Sequence, residues 1–233
     1  MTKVAVIPAR GGSKRIPRKN IRSFCGQPVI AYSIRAARES GLFDRVIVST
    51  DDEEVAAVAR GCGGETPFVR PAQLADDHTG TDAVVRHCLL WLAERGQPAD
   101  CACCIYAAAP FIRIEDLHEG YRQLCATNKA FAFAITTFEF PLQRALRRRA
   151  DGTVEAFWPE HSETRSQDLE HAWHDAGQFY WGKAQAFIDE VPAYSAASIG
   201  IPVPRYLVQD IDTPEDWTRA ELMFEAMKRR ALG

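Results

Sequence analysis

Val4-Ala5-Val6-Ile7-Pro8-Ala9-Arg10-Gly11-Gly12-Ser13-Lys14-Arg15-Ile16-Pro17-Arg18-Lys19-Asn20 is a short β-branched run, stopped by proline and followed by a cationic loop with two glycines. The run 4–7 reads as a buried first strand, because parallel strands covered on both faces are continuously apolar. Gly11 and Gly12 present backbone N–H groups that phosphate oxygens can approach where no Cβ intervenes. Arg10, Lys14 and Lys19 add positive charge suited to a triphosphate, and Ser13 adds a hydroxyl donor. The G-x-x-x-x-G-K-[ST] spacing of a Walker A loop is absent. A solvated basic turn is the competing reading. The loop follows the first strand of an α/β pattern, where ligands gather at strand carboxyl ends, and this favours a phosphate site.

Outward from this loop, strand-like and helix-like segments alternate. Residues 29–38 have helical spacing, with Ile30, Ile34 and Ala37 on one face and Gly41 as a stop. Residues 45–50 read as a second strand, and Asp51 or Asp52 can cap a helix over 53–60. Phe68-Val69 reads as a short third strand, followed by a polar loop over 71–80. Residues 82–95 are amphipathic, 101–106 form another apolar strand, 115–124 another helix and 131–137 another strand. Strands separated by helices imply right-handed crossovers and a doubly wound, mostly parallel α/β sheet. The pattern breaks over 138–175, which holds Arg147-Arg148-Arg149, two tryptophans and three histidines without sustained periodicity. That stretch is expected to be an inserted arm. Regular structure resumes over 177–181, and a last helix is expected from Pro214 to about residue 230, with Thr213 as its cap.

The chain has 233 residues, enough for one substantial core, so a single domain over 1–233 is expected. A formal net charge of -3 argues against a nucleic-acid binder. Arg10, Lys14, Arg15, Arg18, Lys19 and Arg22 cluster on an otherwise acidic chain, which suits a small anionic ligand. No stretch approaches the roughly 18 apolar residues of a membrane span. Met1 leads straight into a strand rather than a secretion signal. Seven cysteines without a disulfide framework point to a reducing cytoplasm. Cys101 and Cys104 form a formal C-x-x-C, but in a strand they point to opposite faces.

Gln209-Asp210-Ile211-Asp212-Thr213-Pro214 is a second constellation. Alternation puts Asp210 and Asp212 on one side of an extended segment, where they can share a divalent cation with triphosphate oxygens, the usual environment of magnesium. Helix capping by Asp212 and Thr213 is the bland alternative and is compatible with it. Trp173-His174-Asp175-Ala176-Gly177-Gln178-Phe179-Tyr180-Trp181 is a third, read as a polar lining or as aromatic core. His171 and His174 lack a third clustered metal ligand.

With these residues in view, the chain closely resembles, over essentially its whole length, the cytidylyltransferases that activate nonulosonic (sialic-type) acids as CMP-sugars. The resemblance implies a Rossmann-like nucleotidyltransferase fold, with the 138–175 arm serving dimerisation. It implies that Arg10, Gly11, Gly12, Ser13, Lys14, Lys19 and Asn20 contact the nucleotide, joined by Arg70 of Arg70-Pro71-Ala72-Gln73-Leu74-Ala75 and by Thr81. CTP as the nucleotide, and magnesium on Asp210 and Asp212, come the same way. Lys19, Arg10 and Asp212 would then be the catalytic group. Gly177 and Tyr180 match an N-G-x-x-Y segment that lines the sugar pocket, with Ala176 in place of the asparagine. His174 and Gln178 belong to the same stretch. Arg165 matches an arginine of the arm that reaches a partner subunit's sugar site, which implies a homodimer.

Many relatives carry Q-P-T-S-P where this chain has Tyr106-Ala107-Ala108-Ala109-Pro110, so Tyr106 implies a less polar sugar. That departure and the 171–182 segment look most like the members of the family that take pseudaminic acid. N-acetylneuraminic acid, legionaminic acid and the eight-carbon acid of lipopolysaccharide cores are alternative acceptors, and a non-catalytic nucleotide-binding regulator is the alternative from another class.

Overall fold

In the computed structural model, which describes residues 1–231, strand β1 (Lys3–Pro8) lies inside a six-stranded sheet. It pairs in parallel with β2 (Arg45–Ser49) on one side and β3 (Cys101–Ile105) on the other, with Val6 opposite both Ile47 and Cys104. Adding β4 (Phe131–Thr137), β5 (Trp173–Lys183) and β6 (Ser198–Pro202), the order across the sheet is β6-β4-β5-β3-β1-β2. Only β5 runs against the others, antiparallel to both β3 and β4.

Side-chain alternation distributes the apolar residues over two cores. Ala5, Ile7, Cys101 and Cys103 face one layer, with Ile30 and Ile34 of α1 (Val29–Glu39), Val55 of α2 (Glu53–Gly61), Leu117 of α4 (Ile114–Ala126) and Trp217 of α6 (Pro214–Ala231). Val4, Val6, Ala102 and Cys104 face the other, with Val85 and Leu89 of α3 (Thr81–Ala93) and Phe187 of α5 (Ala184–Ile188). The sheet is thus covered on both faces, the expected α/β sandwich. Cys101 and Cys104 fall in different layers, and no group of three metal-ligating side chains occurs among the described residues. None of the described helices is long and apolar enough to cross a membrane.

The expected strand at 68–69 does not form. Pro67 has no N–H to give a ladder, and the bridge to β2 is made earlier, by Glu65, whose N–H donates to Val46 O at 2.8 Å. Phe68 instead packs on Trp91 at 5.2 Å between ring centroids. The short elements β6 and α5 were not among the elements expected from the sequence.

Residues 138–172 leave the sheet. They carry a small antiparallel hairpin, Leu146–Arg148 against Val154–Ala156, and expose Phe140, Leu146 and Val154. No crossover helix intervenes, so the chain returns from the end at which β4 left and β5 must run backward. Residues 173–175 belong to this returning strand rather than to the excursion.

Asp52 is the N-cap of α2, its Oδ1 accepting from Val55 N at 2.9 Å, and it also receives the Arg18 guanidinium at 2.6 Å. These bonds, Arg18 first, hold its carboxyl at about 2, below the usual 3.8. A depressed carboxyl contributes stability above its unfolded pKa and loses it as pH falls through the folded value. Asp52→Ala is therefore expected to cost about 1 kcal/mol at neutral pH. The gap from wild type should close between about pH 4 and pH 2, as read from urea unfolding at several pH values.

Candidate active site

The carboxyl ends of β1 and β3 open into a cleft of about 490 Å³, the place a doubly wound sheet reserves for ligands. One side of it is the loop after β1. Ile16, fully buried, anchors the loop, and Asn20 Nδ2 donates to Arg10 O at 2.9 Å, closing it on itself. Gly11 N donates to Asp51 Oδ1 at 3.0 Å, and a Cβ on Gly11 would lie 2.5 Å from Asp52 Oδ2, so only glycine fits there. Gly12 faces open space, and neither glycine lines the cleft, so the expected presentation of both N–H groups to phosphate is not seen: that of Gly11 is taken by Asp51.

The cationic run divides in two. Arg10, Ser13, Lys14, Arg15, Lys19 and Asn20 line the cleft. Arg18, at a left-handed φ of 56°, turns away to Asp52 and Glu54, and Arg22 lies over the Trp217 ring at 4.7 Å. Within the cleft, Arg10 reaches Asp77 at 2.6 Å and Asp76 O at 2.8 Å, and Lys14 pairs with the other oxygen of Asp77. Lys14 and then Arg10 pull the Asp77 carboxyl down to about 2.

Deeper in, Arg70 is buried and donates Nε to Ser49 Oγ at 3.1 Å, with a further bond to Ser49 O. Desolvation draws its guanidinium down to about 10. Thr81, the first residue of α3, borders the same wall.

Across the cleft runs the Gln209–Asp212 segment. Ile211 is 2% exposed, so the carboxylates flanking it project to the opposite side. Asp212 takes Arg15 at 2.8 Å and Lys19 at 3.3 Å, and Lys19 Nζ also donates to Ile211 O at 2.8 Å. Asp210 lines the cleft and makes no ion pair or hydrogen bond through its carboxylate among the described residues; desolvation and then Asp212 push its carboxyl above the usual range. Hard oxygen donors beside a cationic phosphate grip are the donor set that magnesium takes, so these residues fit that ion.

Tyr106 and Gly177 form the far wall. Burial pushes the Tyr106 phenol up to about 12, so it stays neutral. The remaining sugar-side residues lie behind this wall or away from it. Tyr180 stands beside Tyr106 at 5.6 Å between ring centroids. Gln178 is buried and donates Nε2 to Leu207 O at 2.7 Å, tying β5 to the segment that leads to Asp210. His174 packs on Phe138, and Arg165 is exposed on the excursion and paired with Asp168 at 2.8 Å. Arg15, Asp77 and Gln209 were not among the expected site residues. Arg15 was visible as part of the cationic run, whereas nothing local marks Asp77.

Residues 4–214 match the family described as Cytidylyltransferase. The chain belongs to this family. Over 232 residues, covering the whole of both chains, it is 43% identical to a pseudaminic acid cytidylyltransferase from Campylobacter jejuni. It is 29% identical to a CMP-N,N'-diacetyllegionaminic acid synthase from Legionella pneumophila, over 95% of this chain and 96% of that one. Among solved structures, a CMP:2-keto-3-deoxy-manno-octonic acid synthetase complexed with CTP superimposes with a TM-score of 0.69 at 18% identity, covering 97% of this chain and all of that one. The nucleotidyltransferase fold expected from the sequence is therefore the observed one. The cationic loop and the Asp210–Asp212 segment both fall within the matched residues.

Proposed function

We propose that this cytidylyltransferase transfers CMP from CTP to the anomeric hydroxyl of pseudaminic acid. The observation that carries the reading is the 43% identity, end to end, with a pseudaminic acid cytidylyltransferase, in a chain whose cleft is lined by the cationic loop and Asp210, with Asp212 beside it paired to Arg15 and Lys19. The anomeric oxygen attacks the α-phosphorus in line and loses its proton to solvent, the bond from that phosphorus to the bridging oxygen breaks, and pyrophosphate leaves with the electron pair. Positioning and charge neutralisation supply most of the rate in such transfers.

Arg10, Ser13 and Lys14 hold the triphosphate oxygens through charge-assisted hydrogen bonds. Lys19, fixed between Ile211 O and Asp212, stabilises charge that grows on the phosphate as the bond breaks. Arg70 and Thr81 shape the nucleotide end, and Tyr106 with Gly177 offers the acid an apolar wall. Asp210 and Asp212 would hold a magnesium ion, which when bound neutralises phosphate charge and lowers the pKa of the attacking hydroxyl. The exposed Phe140, Leu146 and Val154 of the excursion support a homodimer, in which Arg165 would reach toward a second subunit. Seven unpaired cysteines support a reducing, cytoplasmic setting.

A pyrophosphate-release assay with CTP, magnesium and a panel of nonulosonic acids tests the reading. Pseudaminic acid should be turned over fastest. Faster turnover of N-acetylneuraminic or legionaminic acid overturns the choice of acid, and no turnover with any acid overturns the reaction.

A further inference from the structure

β5 does not meet β4 in uninterrupted register. The pairing shifts between Phe133 and Ile135, so that Tyr180 lies opposite Phe133 while Asp175 lies opposite Ile135. The extra residues of β5 form a bulge, and within it Gly177 adopts a left-handed φ of 61°. Bulges re-aim side chains, and this one turns the backbone at Gly177 toward the cleft, where a Cβ would come within 3.8 Å of the Tyr106 ring.

One side chain holds this bulge. Asp175 Oδ1 accepts the Gly177 N–H at 3.0 Å, bonding its own backbone two residues on. Its other oxygen accepts the hydroxyls of Tyr180 and of Tyr194, the latter at 3.1 Å. Asp175 makes no ion pair among the described residues, so three neutral donors alone satisfy its charge. Tyr180, gripped in this way, stands against Tyr106 on one side and stacks on Phe133 on the other, at 5.4 Å and 23°. Tyr194 comes from the segment between α5 and β6, is 71% exposed, and packs edge-on to Phe133. Asp175 therefore joins three pieces of chain: its own strand with the Gly177 bulge, the Tyr194 segment and, through Tyr180, the Tyr106 wall. None of Arg10, Ser13, Lys14 or Arg70 bonds to this group.

We infer that Asp175 is a positioning residue for acid specificity: by holding Gly177, Tyr180 and Tyr194 together, its carboxylate sets the shape of the Tyr106–Gly177 wall against which the nonulosonic acid binds. The inference rests on the proposed reaction and adds a determinant on its acid side. Asp175 itself stays behind the wall and acts through the groups it holds. An asparagine there keeps a single acceptor oxygen and loses part of the arrangement; an alanine loses all three bonds.

Steady-state kinetics of the full chain with magnesium, varying CTP and acid separately, tests it, using whichever acid the wild type turns over fastest. Asp175→Ala should raise KM for the acid about tenfold or more while KM for CTP stays within about twofold. Asp175→Asn should lie between, with KM for the acid up about threefold. Tyr194→Phe removes one exposed hydroxyl and leaves the core intact; it should raise KM for the acid about twofold without moving KM for CTP. Unchanged acid KM in Asp175→Asn and Tyr194→Phe overturns the inference even if Asp175→Ala fails to fold. So does a parallel rise of both KM values with a lowered Tm, which marks general structural damage. Wild-type turnover with unaltered variants defeats only the role of Asp175; no wild-type turnover with any acid defeats the proposed reaction and this inference together.

Discussion

Asp212→Ala is expected to lower the rate of CMP-sugar formation by about 10³-fold, equivalent to about 4 kcal/mol of barrier, while the far-UV circular dichroism and Tm stay near those of the wild type. On the catalytic side, Asp212 faces the cationic loop through Arg15 and Lys19, and with Asp210 it would supply the oxygen donors for the proposed divalent ion. Removing one of two carboxylates leaves too few hard ligands to hold that ion against water. On the structural side, the start of α6 does not depend on the Asp212 side chain. Thr213 Oγ1 accepts from Asp216 N at 3.2 Å and Asp216 Oδ2 accepts from Thr213 N at 2.9 Å, a reciprocal cap that survives the substitution. The lost pairs with Arg15 and Lys19 are partly solvated and contribute about 0–1 kcal/mol. An unfolded Asp212→Ala protein would contradict this division and assign the carboxylate a structural role.

The second large effect belongs to Lys19. Lys19→Ala should reduce kcat by about 10²- to 10³-fold, the range for removal of one preorganised donor to developing charge. The ammonium is held by two acceptors from one segment, Ile211 O at 2.8 Å and Asp212 Oδ1 at 3.3 Å. Its position is thus set before any substrate arrives, which gives a fixed charge its value in catalysis. CTP affinity, measured by titration calorimetry, should fall much less, because Arg10, Ser13, Lys14 and Arg70 remain. A loss of affinity as large as the loss of kcat would make Lys19 a binding residue only.

How much of this was legible in the sequence depends on how local each feature is. β1 and its loop were readable because apolar run, proline, glycines and cations follow one another within a few residues. The caps at Asp52 and Thr213 were readable for the same reason. The direction of β5 was not, because it follows from where the chain re-enters the sheet after residues 138–172, and no local pattern encodes that return. The third strand expected at 68–69 failed because Glu65, a residue without strand propensity, made the bridge first. Among the cations, Arg18 and Lys19 are adjacent in sequence, yet one caps a distant carboxylate outside the cleft and the other meets Asp212 inside it. Only the left-handed turn at Arg18 separates them. Gln178 stood in a segment read as pocket lining, and its amide instead reaches Leu207 O. Asp77 lies far in sequence from the two cations it pairs with, so only the folded chain brings it to them.

The backward course of β5 also separates the two tasks of the cleft along the chain. Because this strand runs against its neighbours, its beginning rather than its end meets the ligand side of the sheet. The wall carrying Gly177 is therefore built within a few residues of the chain's return from its excursion, whereas the proposed triphosphate side begins in the first turn after β1. In the proposed reaction, a lengthened or rewritten 138–172 segment would act first on the Gly177 wall, and would reach the Asp210 segment only through the Gln178–Leu207 bond. Acceptor preference in that reaction would then be set mainly on one side of the cleft and the grip on the triphosphate mainly on the other.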